Sequence, residues 1–382
     1  MKFLHLADLH FGKTVNGFSM LEDQRYIIGQ IYDYIRNNDI DAVLVAGDVY
    51  DRSIPGAEAV TLFDDFLTQL RALGTDVCMI SGNHDSGERL AYAGRLLARE
   101  HIYVSCHIQE TIPKVTVYDS CGPVNIYMLP FLKPMTVKAF YGDENIRTFD
   151  DGVRACIEHT PLDLSQRNIL MTHHFVVSGS MRPEISDSEM QLSVGGIEEV
   201  DAGNFRDFDY TALGHIHRPQ RIGSDVIRYA GSLLKYSFSE ASHEKVMTVV
   251  EIKNKGDVHI DLVPLVPLHD MRKIKGSLKA LTDEDILSLA DRYDYIHATL
   301  TDKEALIEPM NRLRAVYPNV MQLAFERRTQ EKAGAAGKRQ EAPKDPLALF
   351  KAFYEEVMGE PMDDERIKIM EEIIDEAEKA DA

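Results

Sequence analysis

The chain has 382 residues, 44% of them apolar, and a formal net charge of −20. That apolar share excludes wholesale disorder, and no run approaches the roughly 18 consecutive apolar residues of a membrane span. The charge argues against tight DNA binding by this chain alone, since such affinity comes from Lys and Arg neutralising phosphates. Residues 341–382 hold 14 Asp+Glu against 5 Lys+Arg, a balance of −9, so nearly half of the excess is local. The opening residues Met1–Asp8 turn polar too early for a secretory signal, and a cytoplasmic protein is expected. Cys78, Cys106, Cys121 and Cys156 form no CxxC pair and read as reduced structural thiols.

Short apolar, β-branched runs that end in polar clusters read as buried strands. Lys2–Leu6 leads into Asp8-Leu9-His10, Ala42–Ala46 into Gly47-Asp48, and Val77–Ile80 into Gly82-Asn83-His84-Asp85. Asn168–Met171 leads into His173-His174, and Thr211–Leu213 into Gly214-His215-Ile216-His217. Helical patterns over Leu21–Asn37, Ala57–Leu73 and Gly87–Glu100 alternate with the first three strands, which is the grammar of a layered α/β fold. Further strands are expected at Val226–Ala230 and Val246–Ile252. A boundary falls at Pro264–Pro267, followed by a β-α-β-α-β unit with helices near Thr282–Arg292 and Lys303–Val316. Thr329–Pro346 lacks apolar periodicity and reads as a linker. Two tail helices follow, Leu347–Met358 and Asp364–Glu378, the second capped by Asp363.

Each polar cluster alone carries little information, because an Asp-x-His pair is common. Jointly, Asp8/His10, Asp48/Asp51, Asn83/His84, His173 and His215/His217 all follow strand-like runs, and strand ends gather in space. The donors are carboxylate, imidazole and amide oxygen with no thiolate, a set suited to Mn²⁺, Fe or Zn²⁺. Seven ligands exceed one ion but suit two that share a carboxylate. Ions about 3.5–4 Å apart can activate water and stabilise both oxygens of an in-line displacement at phosphorus. The glycines before Asp48, Asn83 and His215 are expected to let the backbone turn sharply as it leaves each strand.

The ordered set Asp8/His10, GDVYD (47–51), GNHD (82–85), His173 and GHIH (214–217) resembles the calcineurin-like metallophosphoesterases over residues 1 to about 240. That resemblance implies a β-sandwich flanked by helices. It places one ion on Asp8, His10, Asp48 and His217, and a second on Asp48, Asn83, His173 and His215. It makes His84 the general acid and Asp51 its orienting partner, a His held by a carboxylate staying charged near neutral pH. His174 is expected to be structural.

Within that superfamily, GNHDS (82–86), GDVYDRSIPG (47–56) and IRYAGSLLKYSFSE (227–240) resemble the bacterial SbcD nucleases, and so, more loosely, do the unit at 268–328 and the helical tail. The resemblance implies a nuclease domain at 1–265, a small α/β capping domain at 266–328, a linker at 329–346 and a helical segment at 347–382 docking an SbcC-type ATPase. Family members release mononucleotides from 3′ ends of duplex DNA and cut hairpins, with two Mn²⁺ ions as favoured cofactors, in DNA repair, recombination and replication. They act as homodimers within a heterotetramer, dimerising through the region of helices 57–73 and 87–100. Otherwise Leu62, Phe63, Phe66 and Leu70 simply face the core. The ATPase would supply much of the DNA-binding surface that this acidic chain lacks. The alternative reading is a cyclic-nucleotide or other small phosphodiesterase of the same superfamily.

Overall fold

A computed structural model describes residues 1–189, 198–287, 290–326 and 361–380, with 347, 350, 351, 354, 355 and 359 between them. Two six-stranded sheets pack face to face. The first runs, edge to edge, Val258–Pro264, Val246–Ile252, Lys2–Leu6, Ala42–Ala46, Asp76–Ile80 and Ile102–Ser105. The second runs Gln220–Ile222, Ser224–Tyr229, Tyr210–Leu213, Arg167–Thr172, Gly122–Met128 and Lys114–Asp119. The apolar runs are continuous because the central strands are buried on both faces. Phe3, Ala42, Leu44, Cys78 and Ile80 meet Ile126, Ile169, Met171, Tyr210 and Ala212 between the sheets. Leu4, Leu6, Val43, Val45, Val77 and Met79 point outward to the covering helices. The result is the mixed α/β layering expected from the sequence.

Helix Leu21–Asn37 carries Glu22 and Asp23 in its first turn and Arg36 in its last, in keeping with the helix dipole. Ile27, Ile28, Ile31 and Ile35 form its buried stripe. In helix Ala57–Ala72, Leu62, Phe66 and Leu70 are buried and Phe63 packs against them, so this face belongs to the core. The expected helix Gly87–Glu100 is broken into Gly87–Leu90, Gly94–Leu97 and a 3₁₀ turn Ala98–Glu100. Ala93 takes a left-handed φ of 58°, which no α-helix continues through. All four cysteines are free, and only Cys121 is exposed.

After Pro264, strands Met271–Gly276, Tyr295–Leu300 and Val320–Phe325 form a parallel sheet with its own cluster, including Leu281, Ile296, Leu300, Leu313 and Tyr317. Its second helix spans only Pro309–Arg314, shorter than the expected Lys303–Val316, since a proline suits the first turn and not the interior. Short helices Leu278–Leu281 and Glu284–Leu287 stand where a helix near Thr282–Arg292 is expected, and residues 288–289 lie outside the described residues. This unit is tied to the body by Asp23, whose carboxylate accepts from Tyr295 Oη at 2.7 Å and from His269 Nδ1 at 3.1 Å. Asp363 caps the tail helix Asp364–Ala380 by accepting from the Arg366 amide at 2.9 Å. The 329–346 linker and most of the helix expected at 347–358 lie outside the described residues. No helix among those described is long and apolar enough to cross a membrane.

Candidate metal centre

Parallel pairing brings the ends of the key strands to one edge of the sandwich. Lys2–Leu6, Ala42–Ala46 and Asp76–Ile80 run parallel in one sheet, and Arg167–Thr172 and Tyr210–Leu213 in the other. Asp8, Asp48, Asn83, His173 and His215 follow these five strands, and all of them converge. His173 Nε2 lies 3.3 Å from Asp48 Oδ2, 4.0 Å from Asp8 Oδ1 and 3.1 Å from Asn83 Oδ1. His215 Nδ1 is 3.0 Å from the same Asn83 oxygen. On the other side His10 Nε2 faces His217 Nε2 at 3.1 Å and Asp48 Oδ2 at 3.8 Å. Asp8/His10/His217 and Asp8/Asp48/His173 each present ligand atoms within 4.8 Å of one another.

The backbone is strained where these residues sit. Eight non-glycine residues have a left-handed φ among those described, and four of them are Asp8, His10, Asp48 and His215. Such conformations cost about 1–3 kcal/mol each and persist where the surroundings impose them. The imposing contacts are visible. The Asp8 amide donates to Gly47 O and the His10 amide to Asp48 O, while both Asp8 oxygens accept from the His215 amide. Asp85 gathers the amides of Val49, Tyr50 and Gly82, binding the GNHD loop to the GDVYD loop.

Of the three glycines, only Gly47, with φ +90°, has the turn conformation expected of it. Gly82 and Gly214 are required for space instead. A Cβ on Gly82 would fall 2.1 Å from Asp48 Oδ1, and one on Gly214 would fall 2.0 Å from the Ala46 carbonyl oxygen.

Electrostatics favour a cation here. Burial pushes the Asp8 carboxyl up to about 6 and the His215 imidazole down to about 3. His10 is likewise driven well below its ordinary range, chiefly by burial. Burial also opposes charge on His173 and Asp48. Their mutual attraction prevails, raising His173 to about 9 and holding Asp48 well below the carboxylate range. His10 Nδ1 is buried with no hydrogen-bond partner. The neutral imidazoles of His10 and His215, the buried carboxylates and the shared amide oxygen form a donor set that fits hard or borderline divalent metals, and a metal would displace the proton that Asp48 holds on His173.

His84 stands at the mouth of the site, its side chain 37% exposed and its Nε2 3.9 Å from Asp48 Oδ2. Its Nδ1 donates to the main-chain carbonyl of Asp51 at 2.9 Å rather than to the carboxylate. The Asp51 carboxylate instead pairs with Lys13 Nζ at 2.6 Å. His174 is turned away, hydrogen-bonded to Thr172 Oγ1 and stacked on Phe131. Sequence reasoning missed Gln24, whose amide binds the main chain of Gly12, Leu9 and His10. It also missed Asp85 and the buried pair Lys245–Glu240, whose Nζ and Oε2 lie 2.7 Å apart while the same Nζ donates to the His217 carbonyl at 2.8 Å. Asp85 lies inside the GNHD motif, the one signal that could have flagged it.

Residues 1–219 match the family model for calcineurin-like phosphoesterases. The chain belongs to that family. A second family model, SbcD_C, described as the type 5 capsule protein repressor C-terminal domain, matches residues 267–358 of this phosphoesterase. The SbcD component of the SbcCD nuclease of Staphylococcus epidermidis is 34% identical to it over 327 residues, 85% of each chain. The phosphoesterase is thus a homologue of that nuclease component. The crystal structure of the Thermus thermophilus protein TT1561 covers 68% of this chain and 98% of its own at 11% identity. Its TM-score of 0.39 adds nothing to the fold assignment.

Proposed function

We propose that this phosphoesterase is the nuclease subunit of an SbcC-type ATPase complex, hydrolysing DNA phosphodiesters at 3′ ends and hairpins. The observation that carries the reading is the pair of donor clusters that share Asp8, with Asp48 Oδ2 reaching His10 on one side and His173 on the other, in a chain related to an SbcCD nuclease component. Asp8, His10, Asp48 and His217 would hold one divalent ion, and Asp48, Asn83, His173 and His215 the other, Mn²⁺ being the favoured occupant. Bound ions supply activation of a water and neutralisation of charge on the phosphoryl oxygens.

The chain's own residues do the rest. The Asp51 carbonyl fixes the His84 ring through Nδ1, leaving Nε2 free and partly exposed beside Asp48. His84 Nε2 gives its proton to the departing 3′ oxygen as the P–O3′ bond breaks. Lys13 holds the Asp51 carboxylate and thereby steadies the loop that carries this carbonyl. A groove of about 410 Å³ beside the site is lined by Lys13, Asn16, Ser188, Lys273, His297 and Gln322, offering cations to a strand in an otherwise acidic protein.

On this reading residues 1–265 are the nuclease domain, 266–328 the cap, 329–346 a linker and 347–382 the ATPase-docking segment of a cytoplasmic protein. Homodimerisation through the 57–100 region is supported by the exposure of Val60, Tyr92 and Leu96 there. The test is digestion of 3′-labelled duplex DNA in Mn²⁺ beside His84→Ala. The variant should lose about 10²–10⁴-fold in rate with Mn²⁺ uptake intact. A wild type that spares DNA yet cleaves small phosphodiesters refutes the nuclease reading and leaves the metal site standing. The ATPase should also tighten DNA binding and steepen its salt dependence.

A further inference from the structure

His217 is gripped at three atoms by one network, buried at Glu240 and Lys245 and half-buried at Ser188 and Glu189, that lies behind the expected ligands. Its main-chain oxygen accepts from Lys245 Nζ at 2.8 Å, and its amide donates to Glu189 Oε1 at 2.6 Å. Its ring Nδ1 is 2.9 Å from Ser188 Oγ, and that hydroxyl donates to Glu240 Oε1 at 2.8 Å. Lys245 spends its other two donors on Ser232 Oγ at 2.8 Å and Glu240 Oε2 at 2.7 Å, so every N–H of the ammonium is used. Glu240 is fully buried and Lys245 nearly so. Buried charge of this kind is weak evidence for stability, because desolvation of both ions offsets most of their attraction. Its arrangement around a single imidazole calls for another explanation.

The hydrogen-bond directions supply it. The Ser188 hydroxyl has acceptors in Glu240 Oε1 at 2.8 Å and Ser186 Oγ at 2.7 Å, and His217 Nδ1 lies 3.4 and 3.5 Å from the Glu189 and Glu240 carboxylates, which only accept, so the imidazole proton belongs on Nδ1. The chain therefore runs from His217 Nδ1–H to Ser188 Oγ–H to Glu240 Oε1. The proton is placed on Nδ1, and the lone pair is left on Nε2, the atom that faces His10 and lies in the Asp8/His10 cluster. Metal-bound imidazoles are commonly oriented in this way through the second ring nitrogen. The Ser-Phe-Ser-Glu stretch that closes the segment 227–240 ends on this carboxylate.

We propose that Glu240, oriented by Lys245 and acting through Ser188, is the positioning residue that fixes the tautomer and aim of His217 for the first metal ion. The proposal rests on the reading of His217 as a ligand. MnCl₂ is titrated into the EDTA-treated full chain, with bound ions counted by calorimetry and by the EPR signal of free Mn²⁺. The proteins compared are wild type, Ser188→Ala, Ser188→Thr and the paired Glu240→Gln/Lys245→Met, which removes both buried charges together. Each is first melted in EDTA.

Ser188→Ala and the pair should weaken one ion by about 10–100-fold and leave the other unchanged. Ser188→Thr, which keeps the hydroxyl, should restore it, and the EDTA melt of Ser188→Ala should match wild type. Equal titrations for Ser188→Ala and wild type overturn the proposal. So does parallel weakening of both ions with a fall in the EDTA melt, the mark of general support. If the charge pair does not fold, the Ser188 comparison decides. A wild type that takes up no Mn²⁺ overturns the metal reading itself, whereas one that binds two ions alongside indifferent variants overturns only the role of Glu240.

Discussion

Replacing Gly214 by alanine tests the close approach that builds the site. The new Cβ would lie 2.0 Å from Ala46 O and 2.7 Å from His173 Nδ1, where real contacts begin near 3.0 Å, so about 1 Å of displacement is needed. Neither neighbour can yield cheaply. Ala46 ends a central strand whose neighbours on both sides are parallel-paired, and its carbonyl already accepts from His173 Nδ1 at 2.7 Å. Overpacking against rigid backbone costs about 3 kcal/mol, which at this size lowers the melting temperature by roughly 4–5 °C. A shift of about 1 Å in His173 should also cost about 100-fold in catalytic rate. The comparison is Gly29→Ala, in a helix interior where a Cβ meets nothing within 4 Å. There the same change should stabilise by about 0.4–1 kcal/mol. Thermal melts in EDTA read the stability effect, and the rate of phosphodiester cleavage in Mn²⁺, beside a Mn²⁺ titration, reads the shift of His173. A Gly214→Ala protein that melts and binds Mn²⁺ like wild type would refute the packing argument.

Chelation should lower the melting temperature and Mn²⁺ should restore it. Each site filled at about 100 times its dissociation constant contributes about 2.7 kcal/mol, measured by melts across a Mn²⁺ series. Acid stability should depend on Asp119, whose carboxylate is held far below its usual range first by hydrogen bonds from Arg167, at 2.5 and 2.9 Å, and also by the N-terminal ammonium. A carboxylate depressed in the folded state contributes fully above its unfolded value of about 3.9 and loses that contribution as pH falls toward the folded value. Urea melts from pH 7 downward should show wild type losing stability below about pH 4. Asp119→Asn should be weaker at neutral pH and flatter on the acid side. Parallel acid limbs would contradict this.

The parts of the fold legible in the sequence are those fixed by local composition. Ala42–Ala46 and Val77–Ile80 read as strands because burial on both faces demands unbroken apolar runs, and Asp48, Asn83 and His84 stand out because they follow directly where those runs end. The helix break at Ala93 left no such mark, since alanine favours helix and takes φ 58° there only in its folded setting. The glycines were visible, yet what Gly82 and Gly214 avoid lies across the site on Asp48 and Ala46, a relation no local pattern encodes. The same holds for the side chains that would aim the expected ligands. Lys245 directly precedes the strand Val246–Ile252 and would pass for an exposed end, and Glu240 for a loop carboxylate. Each gains its function from a partner distant in sequence, such as the His217 carbonyl that Lys245 holds. The expected ligands are legible because metal chemistry restricts residue type at strand ends. The residues that orient them are restricted only by geometry, and geometry appears only when the strands have paired.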